Sequence, residues 1–226
     1  MNLLKTTLVL ALLTTSLSTT AFAADDPPEY TEEGLRLVED SNWGLVYVLP
    51  GADFTGYDSV QILESFVAFR ENYRRDMNRS QRSIRTTEND MNRIKERLAG
   101  EFDTVFREVF EADEQWSVTD SAGENVLVLR PAIVNLDVQA PDTMSAGRTR
   151  TYAESAGEMT LYLEVRDSVS GALLAKGLDR QGDRRSGFME WQTRASNTQA
   201  ARRILTGWAE SLRDGLNEAH ESGPED

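Results

Sequence analysis

The feature that most constrains the fold of this chain is an alternating segment, residues 158–166, followed by a tight turn and a second strand-like segment. Its apolar positions are Met159, Leu161, Leu163 and Val165. Because polar or amphipathic residues stand between them, the segment is predicted to be a strand with one buried and one solvated face. The turn DSVSG at 167–171 and the returning residues 172–181 complete a β-hairpin. An antiparallel sheet with one covered face follows from this pattern.

Two amphipathic helices are predicted to cover that sheet. Apolar residues recur at spacings of three and four through 91–110 and again through 201–219, which places them along one face of each helix. The candidate N-caps are Thr86 or Thr87 for the first helix and Ser196 or Asn197 for the second. We interpret both apolar stripes as core rather than as cofactor sites.

Further strands complete the predicted sheet. A short strand is expected within 35–48, before the turn Pro50-Gly51, and others at 57–69, 116–118 and 126–138. Residues 140–157 are rich in Pro, Asp, Ser and Gly and are expected to form a loop. The order of strands, helix, strands and helix predicts an α+β fold in a single domain. We expect a mainly antiparallel sheet of about five strands, with the two long helices packed on one face.

The segment 126–138 is the most apolar part of the chain after the N-terminal region. Its second half predicts one face with Ala132, Val134, Leu136 and Val138, and another with Ile133, Asn135 and Asp137. Pro131 has no backbone N–H to donate, so an edge position or a bulge is expected there.

Residues 1–23 have the three parts of a cleavable secretory signal peptide, namely Lys5, an apolar run at 8–13 and the small-residue site Ala21-Phe22-Ala23. The apolar run is much shorter than the roughly 20 residues that a spanning helix needs. The expected boundaries are a signal peptide at 1–23, a flexible leader at 24–33, one domain at 34–219 and a disordered tail at 220–226. Cleavage near Ala23 predicts a periplasmic or secreted protein. The absence of cysteine excludes disulfides and a cysteine-linked lipid anchor.

The formal net charge of −14 makes binding to nucleic acid or to anionic lipid unfavourable. One segment reverses this balance, with arginines at Arg70, Arg74, Arg75, Arg79, Arg82 and Arg85. These side chains are a candidate binding patch for an anionic ligand or an acidic envelope protein. They are equally expected as a solvated surface on which arginines pair with the protein's own carboxylates.

Catalytic residue types are scarce in this sequence. The single histidine, His220, is predicted to lie at the frayed end of the last helix, and no phosphate-binding loop, nucleophile elbow or zinc motif is present. We therefore expect neither enzymatic activity nor a cofactor or metal. The alternative is a carboxylate-dependent hydrolase acting on envelope glycan, for which the candidate acids are Asp137, Glu158, Glu164, Asp167 and Asp179.

Five segments together resemble a family of bacterial exported proteins, many of them lipoprotein-like, classed as domain of unknown function 3313. They are YVLPGADFTGYDSV at 47–60, YRRDMNR at 73–79, VLVLRPAIVNLDVQAPD at 126–142, AGEMTLYLEVRDSVSGALLAKGLDR at 156–180 and WAESLRDGL at 208–216. The resemblance implies an envelope location and a single domain, and it carries no catalytic residue. The function expected is that of a non-enzymatic soluble envelope protein that binds a partner or assists envelope assembly.

Overall fold

The structure is a computed structural model that describes residues 26–80, 85–138, 151–153, 157–182, 190–192 and 194–223. The predicted signal peptide at 1–23 and Arg82 lie outside the described residues. The strands are β1 (Arg36–Leu37), β2 (Leu45–Val48), β3 (Ser59–Ile62), β4 (Phe66–Phe69), β5 (Ser117–Val118), β6 (Val126–Val138), β7 (Thr151–Ala153), β8 (Gly157–Asp167), β9 (Leu173–Gly182) and β10 (Glu190–Gln192). The helices are α1 (Tyr73–Ser80), α2 (Glu88–Glu111) and α3 (Arg194–Ser222).

Eight of the described strands form one open, mixed sheet in the order β1-β2-β9-β8-β6-β3-β5, and β4 pairs with β6 beyond the end of β3. The predicted hairpin is present, because β8 and β9 are antiparallel with Leu163 opposite Gly177. The sheet has more strands than the five expected, and it is mixed, because β3 and β4 run parallel to β6 and β5 runs parallel to β3 while the other pairs are antiparallel. The predicted loop at 140–157 is also corrected in part, because β7 pairs with β10 in a separate two-stranded sheet.

β6 is an interior strand, which corrects the edge position expected from Pro131. The carbonyl of Leu129 accepts a hydrogen bond from the N–H of Leu63, so the backbone groups of Leu129 and, two residues later, Pro131 point toward β3 and β4. Pro131 stands where the neighbouring strand changes from β3 to β4. The missing N–H therefore falls at an interruption of the ladder, which is how an interior strand tolerates proline.

A β-bulge at Asn135 corrects the predicted faces of β6. Asn135 has φ of 53°, and the pairing with β8 shifts register between Val134 and Asp137. Before the bulge, Leu129 and Ile133 are fully buried, whereas Ala132 and Val134 are only half-buried. Leu136 is buried after the bulge, so the alternation changes phase in the middle of the strand.

α2 and α3 pack together on one face of the sheet, as predicted. α2 begins with a capping box in which Thr87 accepts from the Asp90 N–H and the Asp90 carboxylate accepts from the Thr87 N–H. Its buried face contributes Phe102, Phe106 and Phe110 to a core shared with the inward residues of β6 and β8. We call this side of the sheet the inner face and the opposite side the outer face.

Both ends of the domain are more structured than predicted. Residues assigned to a flexible leader contact the sheet, because Tyr47 donates to the Pro28 carbonyl and Lys176 pairs with Glu33 at 2.7 Å. α3 continues to Ser222, through residues assigned to a disordered tail. His220 is therefore held in a helix, with Nδ1 3.2 Å from the Phe54 carbonyl and Nε2 3.2 Å from Gln115.

Candidate functional site

A groove of about 500 Å³ lies on the inner face, between the β1-β2-β9 side of the sheet and the C-terminal half of α3. The groove forms because the sheet is wide and α2 lies over its other side, where it contacts β3, β4 and β5. The residues 49–54 after β2 close one side of it. A volume of this size lies within the range of small-molecule binding sites.

The floor of the groove is apolar. It is made by inward side chains of the three strands β2, β8 and β9 and of the segment after β2, namely Val46, Val48, Leu49, Phe54, Leu163, Val165 and Ala175. Leu163 and Val165 are almost fully buried, whereas Val46, Val48 and Ala175 are only partly covered by the core. Their remaining exposure on the inner face is what makes the floor accessible to a ligand.

The wall contributed by α3 includes one face of small residues. Ser211, Gly215 and Ala219 stand at successive spacings of four and all line the groove, so they share one helix face. A Cβ built on Gly215 would meet no atom within 4 Å. The groove is open beside Gly215, whereas Leu212 and Leu216 of α3 also line it.

Trp43 forms one aromatic wall and is fixed in place by two neighbours. A Cβ on Gly177 would lie 2.6 Å from the indole ring, so the close contact between ring and strand requires glycine. The next N–H along the chain, that of Gly44, donates to Asp179 at 3.0 Å. Asp179 also accepts from Trp208 Nε1 at 2.7 Å, which ties the groove wall to α3.

Charged groups stand at the rim rather than on the floor. Asp40, Asp214 and Glu218 line the groove, together with Arg36 of β1. Lys176 also borders it, but its ammonium pairs with Glu33. The carboxylate of Asp214 is likewise paired, with Arg213 at 2.6 Å.

In the structure three arginines of the predicted patch are paired with the protein's own carboxylates. Arg70 is bound by Asp76 at 2.9 Å and Asp137 at 2.6 Å, and both contacts raise its pKa. Arg74 lies 3.6 Å from Glu88 and Arg75 lies 3.3 Å from Asp76. Arg79 and Arg85 are exposed. None of the described arginines of the patch lines the groove.

The five candidate acids have structural partners and lie outside the groove. Asp137 and Glu158 are cross-strand neighbours, but Asp137 is bound by Arg70 and Glu158 by Arg180 at 2.6 Å. Asp167 accepts from Ser170, which lowers the pKa of the carboxyl group. A general acid needs the opposite shift.

Glu164 and Asp179 are also held by neighbouring donors. Burial raises the pKa of Glu164, but hydrogen bonds from Arg166 and Tyr162 outweigh it and leave the pKa below its usual value. Asp179 is engaged by the three donors Gly44 N, Trp208 Nε1 and Gln181 Nε2. Among the described residues, no group of three or more His, Cys, Asp or Glu side chains is placed to hold a metal ion.

The groove was missed by sequence reasoning because its parts resemble ordinary core and turn residues. Val46, Val48 and Leu163 have the alternation of any half-buried strand. The spacing of Ser211, Gly215 and Ala219 is a signal that could have been read, because small residues on one helix face permit a close approach or leave space. The sequence does not show which of these two occurs.

A family model described as "Protein of unknown function (DUF3313)" matches residues 32–212. No curated protein matches the chain by sequence. No helix in the described part of the chain is long and apolar enough to cross a membrane.

Three solved structures are similar in shape over most of their own length. A PelC dodecamer from Paraburkholderia phytofirmans has a TM-score of 0.36 and 13% identity, over 74% of this chain and 98% of that one. A Xanthomonas campestris protein of family DUF330 has a TM-score of 0.39 and 15% identity, over 83% of this chain and 94% of that one. A putative neuraminyllactose-binding hemagglutinin homolog from Helicobacter pylori has a TM-score of 0.38 and 9% identity, over 76% of this chain and 94% of that one.

Proposed function

The chain belongs to the DUF3313 family of proteins of unknown function, and we propose that it is a non-catalytic envelope protein that binds the acyl chain of a lipid-like ligand in the groove. The observation that carries this proposal is the accessible apolar floor beside a helix wall that Leu212 and Leu216 line and that is open at Gly215. Burial of apolar ligand surface there contributes about 25 cal/mol per Å².

The size of the groove favours a slender ligand over a docked helix. A two-turn helix with its side chains is about 10 Å across and 11 Å long and fills roughly 850 Å³. The groove offers about 500 Å³. An extended acyl chain is thinner than a helix and has no backbone polar groups to satisfy, so it suits an apolar floor.

The rim favours a ligand whose polar end is neutral, zwitterionic or cationic. Asp40 and Glu218 would stand close to that end and repel a strongly anionic group, whereas the charge of Asp214 is offset by Arg213. The net charge of −14 adds to this repulsion at long range.

The alternative of a glycan hydrolase has less support. It requires two carboxyl groups about 5–10 Å apart that flank a bound substrate. Asp137 and Glu158 are neighbours, but each is engaged by an arginine and neither lines the groove. An envelope location is part of our proposal and is supported by the signal-peptide pattern of residues 1–23.

The test of the proposal compares two glycines of α3. In Gly215→Leu the new side chain projects into open space on the groove face, whereas Gly207 is exposed, has no atom within 4 Å of a built Cβ, and does not line the groove. Leucine in place of glycine favours the helix by about 0.8 kcal/mol in either variant. Neither protein is therefore expected to be less stable than wild type.

The readout is the fluorescence of the neutral apolar probe N-phenyl-1-naphthylamine, followed by its displacement with a long-chain lysophospholipid. We expect wild type and Gly207→Leu to bind both, and Gly215→Leu to lose affinity by about tenfold or more, which corresponds to about 1.4 kcal/mol. Equal binding by the two variants would exclude the groove as the site. Displacement by a matched glycan but not by the lipid would exclude an acyl ligand.

A further inference from the structure

The outer face of the sheet carries a continuous row of apolar side chains. Direct pairing places Phe66 opposite Ala132, Ala132 opposite Tyr162, and Tyr162 opposite Leu178, which in turn lies opposite Leu45. Residues directly opposite each other in neighbouring strands point to the same face. We call these five residues the apolar row. It crosses β4, β6, β8, β9 and β2.

The row is accessible to solvent. Phe66 is 64% exposed and Leu178 is 39% exposed, and the other three residues are half-buried. α2 and α3 pack on the inner face and do not cover the row. Two large apolar side chains on one face differ from isolated surface residues, because together they form a patch whose burial is favourable.

The charges around the row are balanced. Arg166 lies 2.9 Å from Glu164, and Arg130 lies 3.6 Å from the same carboxylate. On the other side of the row Arg180 pairs with Glu158 at 2.6 Å. The outer face therefore lacks the acidic excess of a molecule whose net charge is −14.

The row also reaches an open edge of the sheet. It ends at Phe66 in β4. This strand pairs with β6 and, among the described residues, with no other strand. The four residues of β4, FVAF, include no charge, proline or glycine. Exposed edges usually carry such residues because they prevent pairing with another chain.

We propose that the outer face is an interface on which a second copy of this chain docks through the apolar row. Two copies related by a two-fold axis present the same patch to each other, so a row of this kind is complementary to itself. Two molecules of net charge −14 repel each other over most orientations, and the charge-balanced outer face is where that repulsion is least. A cationic partner would instead gain from the acidic remainder of the surface.

This interface is independent of the proposed ligand site. The groove lies on the inner face, so association through the apolar row leaves it open. Failure of either proposal is therefore distinguishable from failure of the other.

The experiment measures the molar mass of the purified protein by sedimentation velocity and light scattering over a wide range of concentration. We expect the wild-type protein to associate, and Phe66→Asp and Leu178→Asp each to shift to the mass of one chain. The matched control is Val169→Asp, because Val169 is 66% exposed, lies in the turn between β8 and β9, and receives the same added charge. This control is expected to associate like wild type.

Circular dichroism and the melting temperature show whether each variant is folded. If Leu178→Asp melts early, Phe66→Asp decides the matter, because Phe66 is the more exposed side chain. A wild-type protein that is monomeric at every concentration overturns the proposal. So does an association that survives both substitutions, or one that Val169→Asp abolishes equally.

Discussion

Asp179 is predicted to be a main determinant of stability, because its carboxylate connects three parts of the fold. It is 7% exposed and accepts from Gly44 N before β2, from Trp208 Nε1 of α3 and from Gln181 Nε2 of β9. The bond to Trp208 is itself buried, at 2.7 Å. No water can easily replace the carboxylate there.

The expected cost of Asp179→Ala follows from the donors that it leaves unpaired. The indole N–H of Trp208 loses the acceptor of a buried hydrogen bond, at about 1–3 kcal/mol, and the N–H of the exposed Gly44 loses that of a partly buried one, at about 1 kcal/mol. The combined loss in the free energy of unfolding is about 2–4 kcal/mol. Asp179→Asn keeps one carbonyl acceptor and is expected to cost about half as much.

The measurement is urea unfolding followed by circular dichroism, with Asp214→Ala as the control. Asp214 is an exposed carboxylate of α3 paired with Arg213, so its removal is expected to change the free energy by about 0.5 kcal/mol or less. Both variants lose one negative charge, which cancels any effect of net charge. In a double-mutant cycle with Trp208→Phe we expect a coupling of about 1–2 kcal/mol. A loss below about 1 kcal/mol in Asp179→Ala would refute the assigned role.

Two further predictions concern packing and acid pH. Gly177→Ala places a Cβ 2.6 Å from the Trp43 ring and is expected to lower the free energy of unfolding in urea by about 1–3 kcal/mol. The control Gly182→Ala is expected to cost less, because its Cβ would make only an ordinary contact at 3.5 Å. Equal effects of the two substitutions would show that the Trp43 ring moves freely. The side chain of Ser170 lowers the folded pKa of Asp167, so stability from this group is complete above its unfolded pKa of about 4 and is lost as pH falls through the lower folded value. At pH values below about 4, the urea midpoint of the wild-type protein should therefore decrease with falling pH more steeply than the midpoint of Asp167→Asn. Parallel plots of midpoint against pH for the two proteins would contradict this.

The local parts of the fold could be predicted from the sequence. The β8–β9 hairpin follows from the alternation of Leu161, Leu163 and Val165 before a turn that Asp167 closes by accepting from the Ser170 N–H. Thr87 and Asp90 similarly define the start of α2. In each case the determining residues lie within a few positions of one another, so their interaction does not depend on the rest of the chain.

Features that depend on distant pairing could not be predicted in this way. The parallel pairing of β3 and β4 with one side of β6 has no local signature, and the bulge at Asn135 changes the faces of a strand whose sequence alternates without interruption. His220 appeared frayed because its partners, Phe54 and Gln115, are remote in sequence. The groove arises for the same reason, since it depends on where α3 comes to rest over the sheet.

The sheet order has a consequence for how the chain reaches this structure. β2 pairs with β9, and the bond between Gly44 and Asp179 joins residues 135 positions apart. β4 likewise pairs with β6, so apart from the two-residue pairing of β1 with β2 these early strands have no ladder to join until the middle and the end of the chain have been made. Folding that depends on such distant contacts is slow, because a long loop must close before any contact repays its entropy. The β8–β9 hairpin joins neighbouring residues, so we expect it to form first and the N-terminal strands to add to it afterwards.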